Sequence, residues 1–158
     1  MKYIIIGQAI IFTAYITFLL CTFKKALPSI SESWYALKPN RRWLFSAFSL
    51  SLGIGMIAQV EQSGLMFFSG GGLFFVGIAT AFRDRVVEMA HFFGAGLAIL
   101  CPLLSLGLNN QKWLPLIVFF VSSVVILLLE KKYKVMSNST WWIEIIAFAC
   151  IIVGLLTN

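Results

Sequence analysis

No charged residue interrupts the segment Tyr3 to Phe23. Inside a bilayer every backbone amide must be satisfied without water, which leaves helices and closed barrels, and an apolar run of about 20 residues is the helical solution. Five further segments approach that length: Trp43 to Val60, Leu65 to Phe82, Val86 to Leu108, Leu114 to Leu129, and Trp141 to Leu156. The last two are short, and are expected to tilt little or to sit against a locally thinned bilayer. Of the 158 residues 60% are hydrophobic and 11% charged, whereas soluble domains carry about a quarter charged residues. A water-soluble fold is therefore not expected. The polar connections are too short for a separate soluble domain, so the expected architecture is one all-α bundle of six transmembrane helices over residues 1–158. Any function then sits in the bundle or its loops.

Lys2 ahead of a long apolar run has the look of a secretory signal. The run is longer than the usual apolar region of about 7 to 15 residues, and no small-residue cleavage site follows it. It is read as the first spanning helix. Orientation comes from the basic residues. Lys24, Lys25, Lys38, Arg41, Arg42, Arg83, Arg85, Lys131, Lys132 and Lys134 fall in the first, third and fifth loops, leaving only Lys2 and Lys112 on the other side. The positive-inside rule places those loops in the cytoplasm and both termini outside. Trp43, Trp113, Trp141 and Trp142 stand at predicted helix ends, where an amphipathic indole favours the headgroup region. The formal net charge of +6 is thus accounted for by orientation, and no nucleic-acid partner is implied.

Small residues mark close helix contacts. Gly53, Gly55, the Gly70-Gly71-Gly72 run, Gly77, and Ala90, Gly94 and Ala98 at helical spacing let backbones approach where van der Waals packing replaces the hydrophobic effect. Packing within one bundle is the plainer reading; a homo-oligomer joined through these faces is the other. Pro102 interrupts the fourth segment and frees the carbonyl of Ala98. Pro115 lies in the first turn of the fifth, where it costs little. Three helices plus three would run in opposite topology, the plan of some transporters, but no internal repeat is visible. Cys21, Cys101 and Cys150 lie in apolar segments without a C-x-x-C, as packing residues.

Two polar stretches carry the candidate site. In Pro28-Ser29-Ile30-Ser31-Glu32-Ser33-Trp34-Tyr35 the pair Ser29 and Glu32 forms S-x-x-E, a capping box, and Lys38-Pro39 ends whatever starts there. The spacing predicts a short interfacial helix over 30–37, anchored at the headgroups by Trp34 and Tyr35. The functional alternative is that Ser29, Ser31, Ser33 and Tyr35, with Glu32, line a polar pocket at the cytoplasmic mouth. The second stretch holds Asp84, Glu88 and His91, which share one helical face at i, i+4 and i+7. Glu88-x-x-His91 is also the spacing by which helical bundles present carboxylate and imidazole to metal. A di-metal site would need a second such motif, and His91 is the only histidine. No metal or cofactor is therefore implied, with Asp84, Glu88 and His91 as the residues a hard cation would use. The structural reading makes Asp84 a helix cap and Glu88 a partner for the N-terminal dipole. His91 should lie one to two turns inside the apolar zone, where ionisable groups face the interior and mark a site. Glu144 sits about one turn into the last helix at the same face.

Glu32, Asp84, Glu88, Glu130 and Glu144 are cytoplasmic in this topology and only Glu61 is outside. Gln59 and Glu61 read as a solvated loop or as the exit for a conducted ion. There is no G-x-S-x-G, H-E-x-x-H or P-loop. A serine of 29–33 could pair with His91, oriented by Asp84 or Glu88, only if the fold brings them together. Asn138-Ser139-Thr140 has the sequon pattern on a predicted cytoplasmic loop, where it should stay unmodified.

With His91, Gly94 and Ala95 opening its fourth helix, the six-helix plan resembles the DRAM/Sfk-type family of small membrane proteins, which implies a six-helix bundle. The serine-rich segment with a later acid and histidine is similar to membrane-embedded ceramidase-like hydrolases. Seven helices and several metal-binding histidines are expected of those, and this chain lacks both, so no family residue carries over. The leading expectation is a non-enzymatic, multi-pass membrane protein, of the inner or plasma membrane if bacterial, whose cytoplasmic-side pocket binds a lipid headgroup, small ligand or ion. Two alternatives are a membrane-embedded lipid hydrolase using a metal or serine, and an oligomeric pore or scaffold. Membrane lipids are partners in each.

Overall fold

A computed structural model describes residues 2–79, 85–133 and 138–157, with the side chains of 79, 85–88 and 133 outside the description. The described residues are helical, with no strand among them. Helix α1 covers Lys2–Phe23, a one-turn α2 Ser33–Ala36, α3 Trp43–Ile57, α4 Leu65–Ala79, α5 Arg85–Asn110, α6 Leu114–Tyr133 and α7 Ser139–Leu156, with a 3-10 turn at Pro39–Arg41 between α2 and α3. Four stretches, Lys2–Phe23, Met89–Asn110, Leu114–Lys132 and Ser139–Leu156, are long and apolar enough to cross a membrane.

The lengths correct one expectation. The last two segments are not the short ones: α6 has 20 residues and α7 has 18, whereas α3 has 15. Apolarity misplaced their ends because a helix does not stop where polarity begins. Lys131 and Lys132 extend α6 at the end where cations suit the helix dipole, and α7 starts at Ser139, ahead of its first apolar residue. At 15 residues, α3 is about 22 Å long.

Hydrophobicity surrounds α1, so its sequence shows no stripe to say which side turns inward. The fold selects Ile5, Gln8, Phe12, Tyr15 and Leu19, a seam spaced three and four residues apart. Opposite it stand Phe45, Phe48 and Leu52 of α3 and Phe148 of α7. Tyr15 stacks on Phe48 with ring centroids 4.2 Å apart and Phe12 on Phe148 at 4.8 Å. Glycine decides the next contacts. A Cβ on Gly94 would lie 2.8 Å from the carbonyl oxygen of Gly72, and one on Gly70 would lie 2.6 Å from that of Gly53. Thus α4 is wedged between α3 and α5 at backbone contact, its most extensive neighbours.

Serine hydroxyls fasten the same interfaces. Ser46 Oγ donates to the Gly77 carbonyl at 2.8 Å and Ser49 Oγ to that of Leu73 at 2.7 Å, joining α3 to α4. From α4, Ser69 Oγ reaches the Ala98 carbonyl at 3.0 Å. This is the carbonyl that Pro102, lacking an N–H, leaves without its helical donor. Ser69→Ala strands that acceptor in the interior, and we expect a loss of about 1 kcal/mol. It would be seen as a lowered thermal midpoint in detergent, with Ser51→Ala, at an exposed position, as the unchanged control.

Three backbone-level bonds strap the first loop to the start of α7. Asn138 Nδ2 donates to the Ala26 carbonyl at 2.9 Å, Trp141 N to that of Pro28 at 3.1 Å, and Ile30 N to Glu144 Oε2 at 2.6 Å. Trp141 is consequently fully buried, against its expected place at the headgroups, while Trp43, Trp113 and Trp142 are exposed. Its indole is covered because the strapped loop closes over the helix end. The predicted interfacial helix over 30–37 is shorter, one turn at Ser33–Ala36. Half of the capping box forms: Ser29 Oγ accepts from Glu32 N at 3.2 Å.

Candidate functional site

Four helices and the first loop enclose a cavity of about 40 Å³ at the end of the bundle where that loop lies. Each helix contributes one stripe. Phe45, Phe48 and Ser49 come from α3, Leu73 and Val76 from α4, His91, Ala95, Ala98 and Ile99 from α5, and Glu144 and Phe148 from α7. Each set falls at i, i+3, i+4 or a repeat of it, the spacing that places side chains on one helical face. Ile30 and Ser31 close the loop side.

The polar groups in this apolar chamber are few, and their bonds are specific. Glu144 spends Oε2 on the Ile30 amide, a short contact at 2.6 Å. Ser31 Oγ is 3.0 Å from Ser29 Oγ, and Ser49 gives its proton to Leu73, leaving an oxygen lone pair. The His91 ring has a hydrogen-bonding contact with the backbone of Val76 and lies within electrostatic range of Glu32. Its Nδ1 is buried with no hydrogen-bond partner among the described residues. A polar atom in that condition costs roughly 1–3 kcal/mol unless something fills the space beside it, and a site needs only about 10–15 Å³ to take a water-sized occupant.

Of the nine residues put forward from the sequence, Ser31, His91 and Glu144 line the chamber. Ser29 supports Ser31 and caps the turn. Ser33 is fully buried and bonded to the Tyr15 hydroxyl at 2.7 Å, a brace between loop and α1 and no part of the cavity wall. Glu32 and Tyr35 are exposed. Asp84 lies outside the described residues, as does the Glu88 side chain, so the proposed i, i+4, i+7 face is represented by His91 alone. Among the described residues no three of His, Cys, Asp and Glu come together as a metal-binding group. Ser31 and Glu144 direct their described bonds to Ser29 and Ile30 rather than to His91.

Sequence reasoning missed Ser49 and the buried Gln8. A lone amide in a run as apolar as Tyr3 to Phe23 was the available signal for Gln8. Ser49 is one of several serines in its segment, and only the packing of α3 on α4 separates them. Compared with protein families, with curated proteins and with solved structures, the chain matches none.

Proposed function

We propose that this chain is a six-crossing membrane protein, both termini outside, which takes up a small cation, a proton or an alkali ion, in the His91–Glu144 chamber and passes it across the bilayer. The ten-to-two division of Lys and Arg supports the topology, and a short α3 fits a locally thinned bilayer. On that topology the chamber opens toward the cytoplasm.

The observation that carries the reading is the buried His91 Nδ1, without a partner among the described residues, in one small cavity with Glu144. Carboxyl, hydroxyl and imidazole groups together offer lone pairs to a hard cation or a proton. An anionic lipid headgroup fits less well. Among the described residues no Lys or Arg lines the cavity, and phosphate recognition rests on such groups. At about 40 Å³ the chamber suits a water-sized occupant.

The test is flux into proteoliposomes, followed with an internal pH-sensitive dye and separately with 22Na⁺. The wild type is expected to conduct one of these ions, and His91→Ala to reduce the rate at least tenfold while remaining folded. A wild type silent in both assays, or a His91→Ala protein as active as the wild type, would overturn the reading.

A further inference from the structure

A second polar cluster lies deeper in the bundle. Gln8 of α1 and Gln59, just past the end of α3, are 4% and 0% exposed. Gln8 Nε2 donates to the Leu52 carbonyl at 3.1 Å, and Gln59 Nε2 donates both to Gln8 Oε1 at 2.8 Å and to the Gly55 carbonyl at 2.9 Å. Those two acceptors fix which atom of the Gln59 amide is nitrogen. Its Oε1 is then buried with no partner among the described residues. Gly55 makes room for the cluster, since a Cβ there would fall 2.6 Å from Gln8 Nε2.

The cluster lies between one and two turns along α3 from the chamber. Ser49, in the chamber wall, and Gly55, under the amides, stand on α3 about 9 Å apart along the axis. On α1, Phe12 follows Gln8 by four residues and so shares its face one turn away. Phe12 stacks on Phe148 at 4.8 Å and approaches Phe48 at 6.2 Å, and both of those rings line the chamber. Phe12, 8% exposed, and Leu52, 1% exposed, thus stand between the two polar regions.

We propose that the Gln8–Gln59 pair is the outer station of a conduction path for an alkali cation, and that Phe12 is the hydrophobic gate between it and the inner chamber. This rests on the transport reading above and narrows its substrate. Neutral amide and carbonyl oxygens are too weakly basic to hold a proton, but they replace the hydration shell of an alkali ion. Gln59 Oε1 offers a free lone pair for that purpose, and Gln8 Oε1 a second. The apolar wall between the two regions, with the Phe12 ring as its constriction, restricts water and so limits the flux.

The experiment measures 22Na⁺ and 86Rb⁺ uptake by proteoliposomes of wild type, Gln59→Leu, Phe12→Ala and His91→Ala. Gln59→Leu should lower uptake at least tenfold, and Phe12→Ala should raise it at least tenfold. Opposite changes cannot both arise from misfolding, and Phe12→Val, which removes the ring and shortens the side chain, stands in where the alanine protein does not fold. Unchanged uptake in both Gln59→Leu and the Phe12 variant overturns the outer path, whatever His91→Ala does. If His91→Ala is fully active while the other two behave as stated, the inner-site reading fails and the outer path stands. Vesicles that stay impermeable to both ions in the wild type and with Phe12 replaced reject the path.

Discussion

Glu144→Gln is expected to reduce cation flux at least a hundredfold while leaving the protein folded. The amide has the same shape, and its oxygen can still accept the Ile30 N–H that Glu144 Oε2 now accepts at 2.6 Å. What it loses is the capacity to carry a negative charge. A neutral acceptor hydrogen bond contributes about 1 kcal/mol against about 1.5–3 for a charged one, so the strap between the first loop and α7 should weaken by a few degrees of thermal midpoint at most. A cation in the chamber loses the carboxylate itself. Even at an effective dielectric constant of about 20, a unit charge at about 4 Å contributes roughly 4 kcal/mol, well over the 2.7 or so that a hundredfold change requires. Glu144→Ala should lose flux and the strap together. Flux from Glu144→Gln near the wild-type rate would remove the carboxylate from the account.

Gly94→Val should be the most destabilising single change among the glycines of α5. Its Cβ would stand 2.8 Å from the Gly72 carbonyl oxygen and 2.9 Å from Phe75 Cβ, and the oxygen belongs to backbone that cannot turn aside. Overpacking of this kind costs typically 1–3 kcal/mol and occasionally more, and here it forces α4 and α5 apart along their whole contact. We expect about 3 kcal/mol, or roughly 6–12 °C in thermal midpoint, or a failure to assemble. Gly96→Val is the internal control. Two residues further along the same helix, its Cβ would meet nothing within 4 Å, so the same substitution there should stay within about 1 kcal/mol of neutral. Equal midpoints for the two variants would show that the close approach of α4 and α5 contributes little.

Both predictions depend on residues whose types were visible in the sequence and whose partners were not. Glu144 could be placed one turn into the last helix by counting, but its bond to Ile30, more than a hundred residues away, exists because the first loop folds over α7. Trp141 shows the same limit from the other side. Its position at a helix end predicted a headgroup anchor, and the strap buried it instead.

The sequence by itself determined that this chain is helical and apolar enough to enter a membrane. That follows from run length and charge content alone, because a bilayer leaves backbone polar groups no other arrangement over such segments. It also singled out His91 and Glu144, since ionisable groups in apolar runs are costly wherever they fall. Tertiary structure decided which faces turn inward. In segments hydrophobic all round no periodicity distinguishes one side from another, so the Gln8–Phe12–Tyr15 seam, the choice of Ser49 among its neighbouring serines and the loop over Trp141 follow from close packing and from polar groups seeking partners. The opening run Tyr3 to Phe23 sets the length of α1, and the contacts with α3 and α7 set which of its residues face the interior of the bundle.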